Sequence, residues 1–137
     1  MPTFAVPGAE LAVELSDEGG HPVVQLHGLT SSRARDRVLN LDLGRGLSGT
    51  RLLRYDARGH GKSPGERGYS PSFATSVRDV QTFLDHLGAE HGVDPETTAV
   101  IAQSVGAVIA STWAHDYAPR IRALVLASPA FEVRLYV

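Results

Sequence analysis

The stretch TTAVIAQSVGA, residues 97–107, joins an apolar run to a run of small residues through a single serine. The apolar and β-branched residues up to Ala102 predict a buried strand, and the residues from Ala107 to Trp113 predict a helix. Between them, residues 102–106 read AQSVG, which differs by one position from G-x-S-x-G, the pattern of a sharp, strained turn around a serine. Because alanine replaces the first glycine, we expect a slightly relaxed turn.

A turn of this kind gives Ser104 the position of a nucleophile. It lifts the hydroxyl above the sheet edge and places the next backbone N–H, that of Val105, at a helix N-terminus, where it can stabilise an oxyanion. Gly106 meets the need for a small residue where the turn approaches neighbouring backbone. The alternative is an ordinary strand–helix junction, in which the Ser104 side chain only caps the helix.

The rest of the chain alternates short apolar runs with amphipathic segments, as parallel α/β sheets do. One apolar helix face recurs at spacings of three and four, in Phe73, Val77, Val80, Leu84 and Leu87. The predicted strands are Leu11–Leu15, Pro22–Leu26, Arg51–Asp56, Thr97–Ala102 and Ile121–Ala127, and the predicted helices begin near Thr30, at Pro71 and at Ala107. This pattern predicts one domain over residues 1–137, with a mostly parallel sheet and helices on both faces.

A second motif, residues 55–63, resembles a phosphate-binding loop only in part. Its end, GKS at 61–63, fits G-x-x-x-x-G-K-[ST], but Asp56 stands where the first glycine is required, and its carboxylate would repel phosphates. Pro64 and the glycines after it oppose the helix that must begin at the lysine. A P-loop-like nucleotide binder is therefore an alternative that these residues disfavour. Arg51, Arg54 and Arg58, on the strand and loop at this motif, are expected to form salt bridges rather than to bind phosphate.

Three motifs in this order resemble the α/β-hydrolases. They are Leu26-His27-Gly28, then Asp-x-x-Gly-His-Gly-x-Ser from Asp56, then the serine turn, which corresponds to the nucleophile elbow of that family. The branch that the chain resembles is that of the monoacylglycerol lipases, lysophospholipases and serine aminopeptidases. The resemblance covers His21 to Val137 and implies a truncated α/β-hydrolase fold, the N-terminal portion without the lid and the C-terminal strands.

The resemblance also implies roles for individual residues. Ser104 would be the acyl nucleophile of a serine hydrolase that acts on carboxylic esters or lipids, as an esterase or a lysophospholipase does. The oxyanion hole would be formed by the backbone N–H groups of Leu29 and Val105. Four residues would be structural near the site: His27, Gly28, Asp56 and Gly106. The alternative for His27-Gly28 is a simple turn of the chain.

The chain departs from the family in the residues that follow the nucleophile. A serine hydrolase needs a base to take the serine proton and an acid to orient that base, in the order Ser, Asp or Glu, His. After Ser104 the sequence has Asp116, Glu132 and one histidine, His115. His115 lies about three helical turns away, on the order of 16 Å, too far to reach the hydroxyl. The alternatives are an unusual His27–Ser104 pair and a non-catalytic truncated fragment or scaffold module.

Composition restricts the class of partner. The chain has 137 residues, 42% of them hydrophobic and 20% charged, with a net charge of −2, which favours a globular protein that binds no nucleic acid. Cysteine is absent and no H-x-x-x-H pair occurs, so we expect no metal and no other cofactor. No run suits a membrane span or a secretory signal, so the expected location is the cytoplasm. The expected partners are a small-molecule ester or lipid substrate and a second copy, bound through an exposed sheet edge.

Overall fold

A computed structural model describes residues 2–15, 20–27, 49–57 and 73–127 of the chain. Within these residues, six strands form one sheet in the order β1-β2-β4-β3-β5-β6. The strands are β1 Thr3–Val6, β2 Ala9–Leu15, β3 His21–Leu26, β4 Thr50–Tyr55, β5 Ala99–Gln103 and β6 Ala123–Ala127. The helices are α1 Phe73–His91 and α2 Val105–Tyr117, and a 3-10 turn at Pro95–Thr97 precedes β5.

The prediction of a mostly parallel sheet is confirmed. β3 runs parallel to both β4 and β5, and β5 runs parallel to β6, whereas β1 and β2 are antiparallel to their neighbours. Parallel strands end on the same side of a sheet, and ligand sites of α/β proteins form outside those carboxyl ends. The ends of β3, β4 and β5 are therefore the place where the functional residues can meet.

The sequence prediction missed strand β1. It pairs with β2 across a two-residue loop, Pro7 and Gly8, with Gly8 at a φ of 83°. A proline followed by a glycine at positive φ is a turn signal, and it could have revealed this hairpin. Phe4 and Val6 of β1 are buried, so the hairpin extends the core.

Both described helices pack against the same face of the sheet and against each other. The predicted apolar face of α1 is confirmed for Val77, Val80, Leu84 and Leu87, which are all buried. Phe73, which was predicted to share this buried face, is 45% exposed because it lies in the first turn of α1. The helix expected from Thr30 lies outside the described residues.

Trp113 connects the two helices at their packed faces. Its side chain is fully buried, and its indole Nε1–H donates a hydrogen bond to Gln81 Oε1 of α1 at 2.9 Å. A buried indole needs such a partner because its N–H loses water on burial. The pair fixes α2 against α1, and α2 begins at the candidate nucleophile.

The other face of the sheet carries an ion pair between neighbouring strands. Arg54 of β4 donates from Nη2 to Glu14 Oε2 of β2 at 2.8 Å, and the arginine side chain is 4% exposed. These residues are direct cross-strand partners, which places their side chains on one face. The salt bridge expected for Arg54 is thus confirmed.

β6 ends the sheet within the described part of the chain. Its residues are uncharged, and Val125 is 48% exposed. Exposed apolar edge strands favour pairing with another chain, and self-association through β6 stays a prediction. In the described ranges, no helix is both long and apolar enough to cross a membrane.

Candidate active site

The register of the parallel strands brings three predicted site residues to one edge of the sheet. Leu26 of β3 lies opposite Ala102 of β5, so His27 follows β3 where Ser104 follows β5. β4 lies on the other side of β3 and ends at Tyr55, one residue before Asp56. Gly28 and Leu29 lie outside the described residues.

Ser104 stands in a strained turn between β5 and α2. Its φ of 53° and ψ of −126° fall outside the regions that L-residues normally occupy. The backbone around it is held on both sides: the Ser104 N–H donates to the Ala127 carbonyl of β6 at 3.0 Å, and the Ser104 carbonyl accepts from the Ala107 N–H at 3.0 Å. The surrounding structure therefore maintains a conformation that an isolated chain would avoid.

The expected relaxation of this turn is not found. Ala102 is fully buried and belongs to the hydrophobic core on the helix-bearing face of the sheet. Its methyl group therefore packs among core side chains. The strain at Ser104 is kept although alanine replaces the usual glycine.

The side chain of Ser104 does not cap the helix. The residue occupies the N-cap position of α2 but makes no side-chain capping hydrogen bond, and it is exposed. The first four N–H groups of a helix have no acceptor within the helix, and Val105 is the first helical residue. An exposed hydroxyl thus stands next to a helix N-terminus, where negative charge is stabilised.

Gly106 is required by a close approach of α2 to the end of β3. A Cβ atom at this position would lie 2.6 Å from the carbonyl oxygen of His27 and 3.2 Å from that of Leu26. Both contacts are with backbone, which cannot rotate away as a side chain can. The glycine therefore sets the distance between the serine turn and the strand that leads into His27-Gly28.

His27 joins the ends of β3 and β4 through its side chain. Its Nε2 accepts a hydrogen bond from the backbone N–H of Ala57 at 3.0 Å, and the ring is half-buried. A nitrogen that accepts this bond carries no proton and has its lone pair occupied. This geometry argues against the unusual His27–Ser104 pair, because Nε2 is not available to receive the serine proton.

Asp56 is a buried residue at the end of β4. It is 2% exposed, and its backbone N–H donates to the Ala12 carbonyl of β2 at 2.9 Å. The bond ties the loop that leaves β4 to the neighbouring strand. The GKS tripeptide of the partial phosphate-loop motif lies outside the described residues.

His115 and Asp116 do not approach the serine. Both lie near the C-terminal end of α2, where His115 Nδ1 is 3.0 Å from Asp116 Oδ1, and the histidine side chain is 88% exposed. The described residues hold no group of three or more His, Cys, Asp or Glu side chains arranged to bind a metal ion.

A small cavity of about 30 Å³ lies behind the site, between α1, α2 and the ends of β3 and β4. It is lined by Leu26, His27, Tyr55, Ala57, Ser76, Asp79, Gly106 and Ile109. Asp79 is only 3% exposed. Burial raises the pKa of the Tyr55 hydroxyl far above its usual range, and the charge of Asp79 raises it further, so this phenol stays protonated.

Sequence reasoning did not find Asp79 or Ser76. Asp79 lies between Val77 and Val80 in the apolar stripe of α1, four residues before the buried Phe83. A carboxylate on the buried face of an amphipathic helix is the signal that could have identified it.

A family model described as serine aminopeptidase, S33, matches residues 21–137. The chain belongs to this α/β-hydrolase family. The match includes His27, Asp56 and Ser104, the residues whose order first suggested the resemblance, and it extends beyond the described part of the chain.

Relatives of this S33 chain are known as sequences and as structures. The uncharacterized protein YnbC of Escherichia coli K12 is 62% identical over 88 residues, which are 64% of this chain and 15% of YnbC. Est1E from Butyrivibrio proteoclasticus, solved with ferulic acid bound, matches with a TM-score of 0.79 and 20% identity over 95% of this chain and 53% of Est1E. The monoacylglycerol lipase of Paleococcus ferrophilus matches with a TM-score of 0.71 and 27% identity. The match covers 90% of this chain and 44% of the lipase.

The S33 chain is thus shorter than these relatives. It spans 15% of YnbC and about half of the two solved hydrolase structures. Est1E shares only the fold at its level of identity, whereas the family match supports hydrolase chemistry.

Proposed function

We propose that this chain carries the nucleophile of a serine hydrolase of carboxylic esters or lipids, with Ser104 as the acyl nucleophile. The observation that carries the proposal is the exposed Ser104 hydroxyl on a strained turn, with no capping role, beside the N-terminus of α2. Strained backbone persists where function requires it, and family membership supports the same chemistry.

The proposed reaction is acyl transfer through Ser104. A general base takes the Ser104 proton as Oγ attacks the ester carbonyl carbon, and later gives that proton to the leaving alcohol. The carbonyl oxygen becomes an oxyanion that receives hydrogen bonds from the Val105 and Leu29 N–H groups. Collapse of this intermediate breaks the bond to the alcohol, which leaves with a proton, and an acyl group remains on Ser104. Water then attacks the acyl carbonyl and releases the acid.

The acid and base come, in this proposal, from outside the described residues. His27 Nε2 is occupied by the Ala57 N–H, and His115 lies at the far end of α2. The longer lengths of the relatives are consistent with further catalytic residues elsewhere in the whole protein.

The test is p-nitrophenyl butyrate hydrolysis by the protein as expressed from its native gene. Ser104→Ala should lower kcat/KM by at least about 10³-fold, since it removes the nucleophile. Ser111→Ala is the matched control, because Ser111 lies on the same helix but away from the turn, and it should keep activity within about twofold of wild type. Equal activity of the Ser104→Ala variant and the wild type would refute the proposal.

A second candidate is a non-catalytic α/β-hydrolase module. The described residues favour it in one respect, because neither His27 nor His115 can take the serine proton. This candidate predicts that wild type and Ser104→Ala both hydrolyse the ester at the uncatalysed rate. Labelling of Ser104 by a fluorophosphonate, detected by intact mass, would exclude it.

A further inference from the structure

The hairpin of β1 and β2 packs on α1 through the side chain of Phe4. This residue is 2% exposed, and it is the one aromatic residue of the four in β1. Its ring centroid lies 5.0 Å from that of Phe83 and 5.6 Å from that of His86, both on α1, and 5.5 Å from that of Tyr55. Aromatic rings at such separations attract each other beyond the burial of their area. Phe4 therefore ties the hairpin to the helix.

His86 is the member of this ring cluster that titrates near neutral pH. Its side chain is half-buried, and its ring plane lies 33° from that of Phe4. A second imidazole, that of His91, lies 5.3 Å away between ring centroids, at an angle of 67°. His86 is thus in contact with an apolar ring of the hairpin and with a basic ring at the end of its own helix.

The end of α1 keeps His91 close to His86. His91 is the last residue of the helix, and Gly92 follows it at a φ of 64°. A glycine in this conformation ends a helix by reversing the chain, and the Val93 N–H then donates to the Leu87 carbonyl at 3.1 Å. Because this closure fixes the backbone of His91, only side-chain rotation can separate the two imidazole rings.

Two effects oppose a positive charge on His86. Burial lowers the pKa of its imidazole, and the charge of His91 lowers this pKa further, whereas Glu90 raises it. No residue of β1 titrates. The titratable residues of α2, the other described element packed on α1, lie at its exposed C-terminal end and are His115, Asp116 and Tyr117.

We propose that His86 and His91 form a pH-sensitive latch for the N-terminal hairpin. While His86 is neutral, its ring packs on Phe4 and the hairpin stays on α1. When both imidazoles are protonated, their charges repel each other, and the His86 ring turns to water and leaves Phe4. The hairpin then opens locally while the parallel strands stay paired. This device does not involve Ser104 and goes beyond the proposed function.

The pH range of the latch follows from the lowered pKa of folded His86. The unfolded segment takes up its proton around the ordinary value of 6.5, before the folded one does. The docked hairpin therefore has its full stability above about pH 6.5 and loses stability as the pH falls from there through the folded pKa. The face of Phe4 attracts an imidazolium, so repulsion and burial must exceed this attraction for the latch to open.

The test is hydrogen–deuterium exchange, read by mass spectrometry, on the protein as expressed from its native gene. Amide protection of the hairpin, residues 3–15, is compared with that of β5 at about pH 7.5 and about pH 5.5, after correction for intrinsic exchange rates. The protection of the hairpin relative to β5 should be at least about threefold lower at the acidic pH.

Three variants assign this change to the two histidines. His86→Phe keeps a ring on Phe4 but cannot be charged, so its relative protection should be equal at both pH values. His91→Gln removes only the neighbouring charge and should make the change smaller. The matched control is His115→Gln, because this side chain is 88% exposed on α2, and it should keep the wild-type change.

Three results would overturn the latch. The first is a wild-type hairpin with equal relative protection at both pH values. The second is greater protection at the acidic pH, which would show that attraction between the imidazolium and Phe4 dominates. The third is a wild-type change that persists in His86→Phe. No turnover is measured, so each of these results is independent of whether Ser104 is a nucleophile.

Discussion

Replacement of Gly106 by alanine should push the serine turn away from strand β3. The added Cβ would lie 2.6 Å from the His27 carbonyl oxygen, whereas real Cβ contacts are not closer than 3.0 Å and are ordinary from 3.4 Å. The two backbones must therefore separate by 0.4 Å (3.0 − 2.6) to 0.8 Å (3.4 − 2.6). Overpacking of this kind costs about 1–3 kcal/mol, and better helix propensity offsets at most about 1 kcal/mol of it.

The expected result is a loss of about 1–2 kcal/mol in the free energy of unfolding. With an m-value of about 2 kcal/mol/M, the urea midpoint of Gly106→Ala should fall by about 0.5–1 M. The same displacement moves the Val105 N–H relative to the end of β3, so ester hydrolysis should fall by up to about 10²-fold.

The matched control is Gly88→Ala within α1. The nearest atom to its added Cβ is the Val93 carbonyl oxygen at 3.6 Å, an ordinary contact. This variant should gain about 0.5–1 kcal/mol, because alanine favours the helix over glycine. If Gly106→Ala were as stable as Gly88→Ala, the close approach of α2 to β3 would be refuted.

Three further predictions follow from backbone strain and burial. In urea unfolding, Ser104→Gly should be about 1 kcal/mol more stable than Ser104→Ala, because glycine adopts the strained φ and ψ at lower cost. Equal stability of the two variants would show that the turn is unstrained. Ala118→Gly should gain about 0.5–1 kcal/mol in thermal unfolding followed at 222 nm, since Ala118 caps α2 at a φ of 42°; a lower melting temperature would contradict the left-handed cap. Because Tyr55 has a raised pKa, only the unfolded state ionises it near pH 10, so the free energy of unfolding falls as pH rises above about 10. The wild type should lose free energy of unfolding between about pH 8 and about pH 11, and Tyr55→Phe should lose about 1 kcal/mol less over the same range. An identical loss in both proteins would exclude Tyr55 as its source.

The elements that the sequence predicted well are those with long apolar patterns. The buried stripe of α1 has enough apolar residues to define a helical period, so its burial follows from spacing. The strands around residues 22–26 and 97–102 are short, mostly apolar runs, which are typical of buried strands. The short strand β1 lacks that length, and only the Pro7-Gly8 turn indicated it. The last strand begins at Ala123 rather than at the predicted Ile121, and boundaries of this kind depend on tertiary hydrogen bonds.

The serine turn shows the limit of motif reasoning more clearly. The pattern treats its two small positions alike, but their environments differ. The methyl group of Ala102 packs into the core, whereas a methyl group at Gly106 would strike the His27 carbonyl. Which glycine can be replaced depends on the direction of Cβ relative to another strand, and the sequence does not contain that direction.

The same limit applies to Asp79 and to the tautomer of His27. Both depend on where α1 and the end of β4 place their polar groups, which is decided by packing between elements far apart in the sequence. A charge within an apolar stripe could have marked Asp79 as unusual, but it does not say which residue the carboxylate faces.

The single tryptophan gives this protein an intrinsic spectroscopic probe of the helix that carries the nucleophile. Trp113 is buried between the two helices, and its indole N–H bonds a side chain of α1 rather than water. Its fluorescence should therefore be blue-shifted while α2 is docked and should move to longer wavelength when the helices separate. Because Ser104 lies at the other end of the same helix, one optical signal can follow the attachment of the nucleophile segment during folding, truncation or substrate binding.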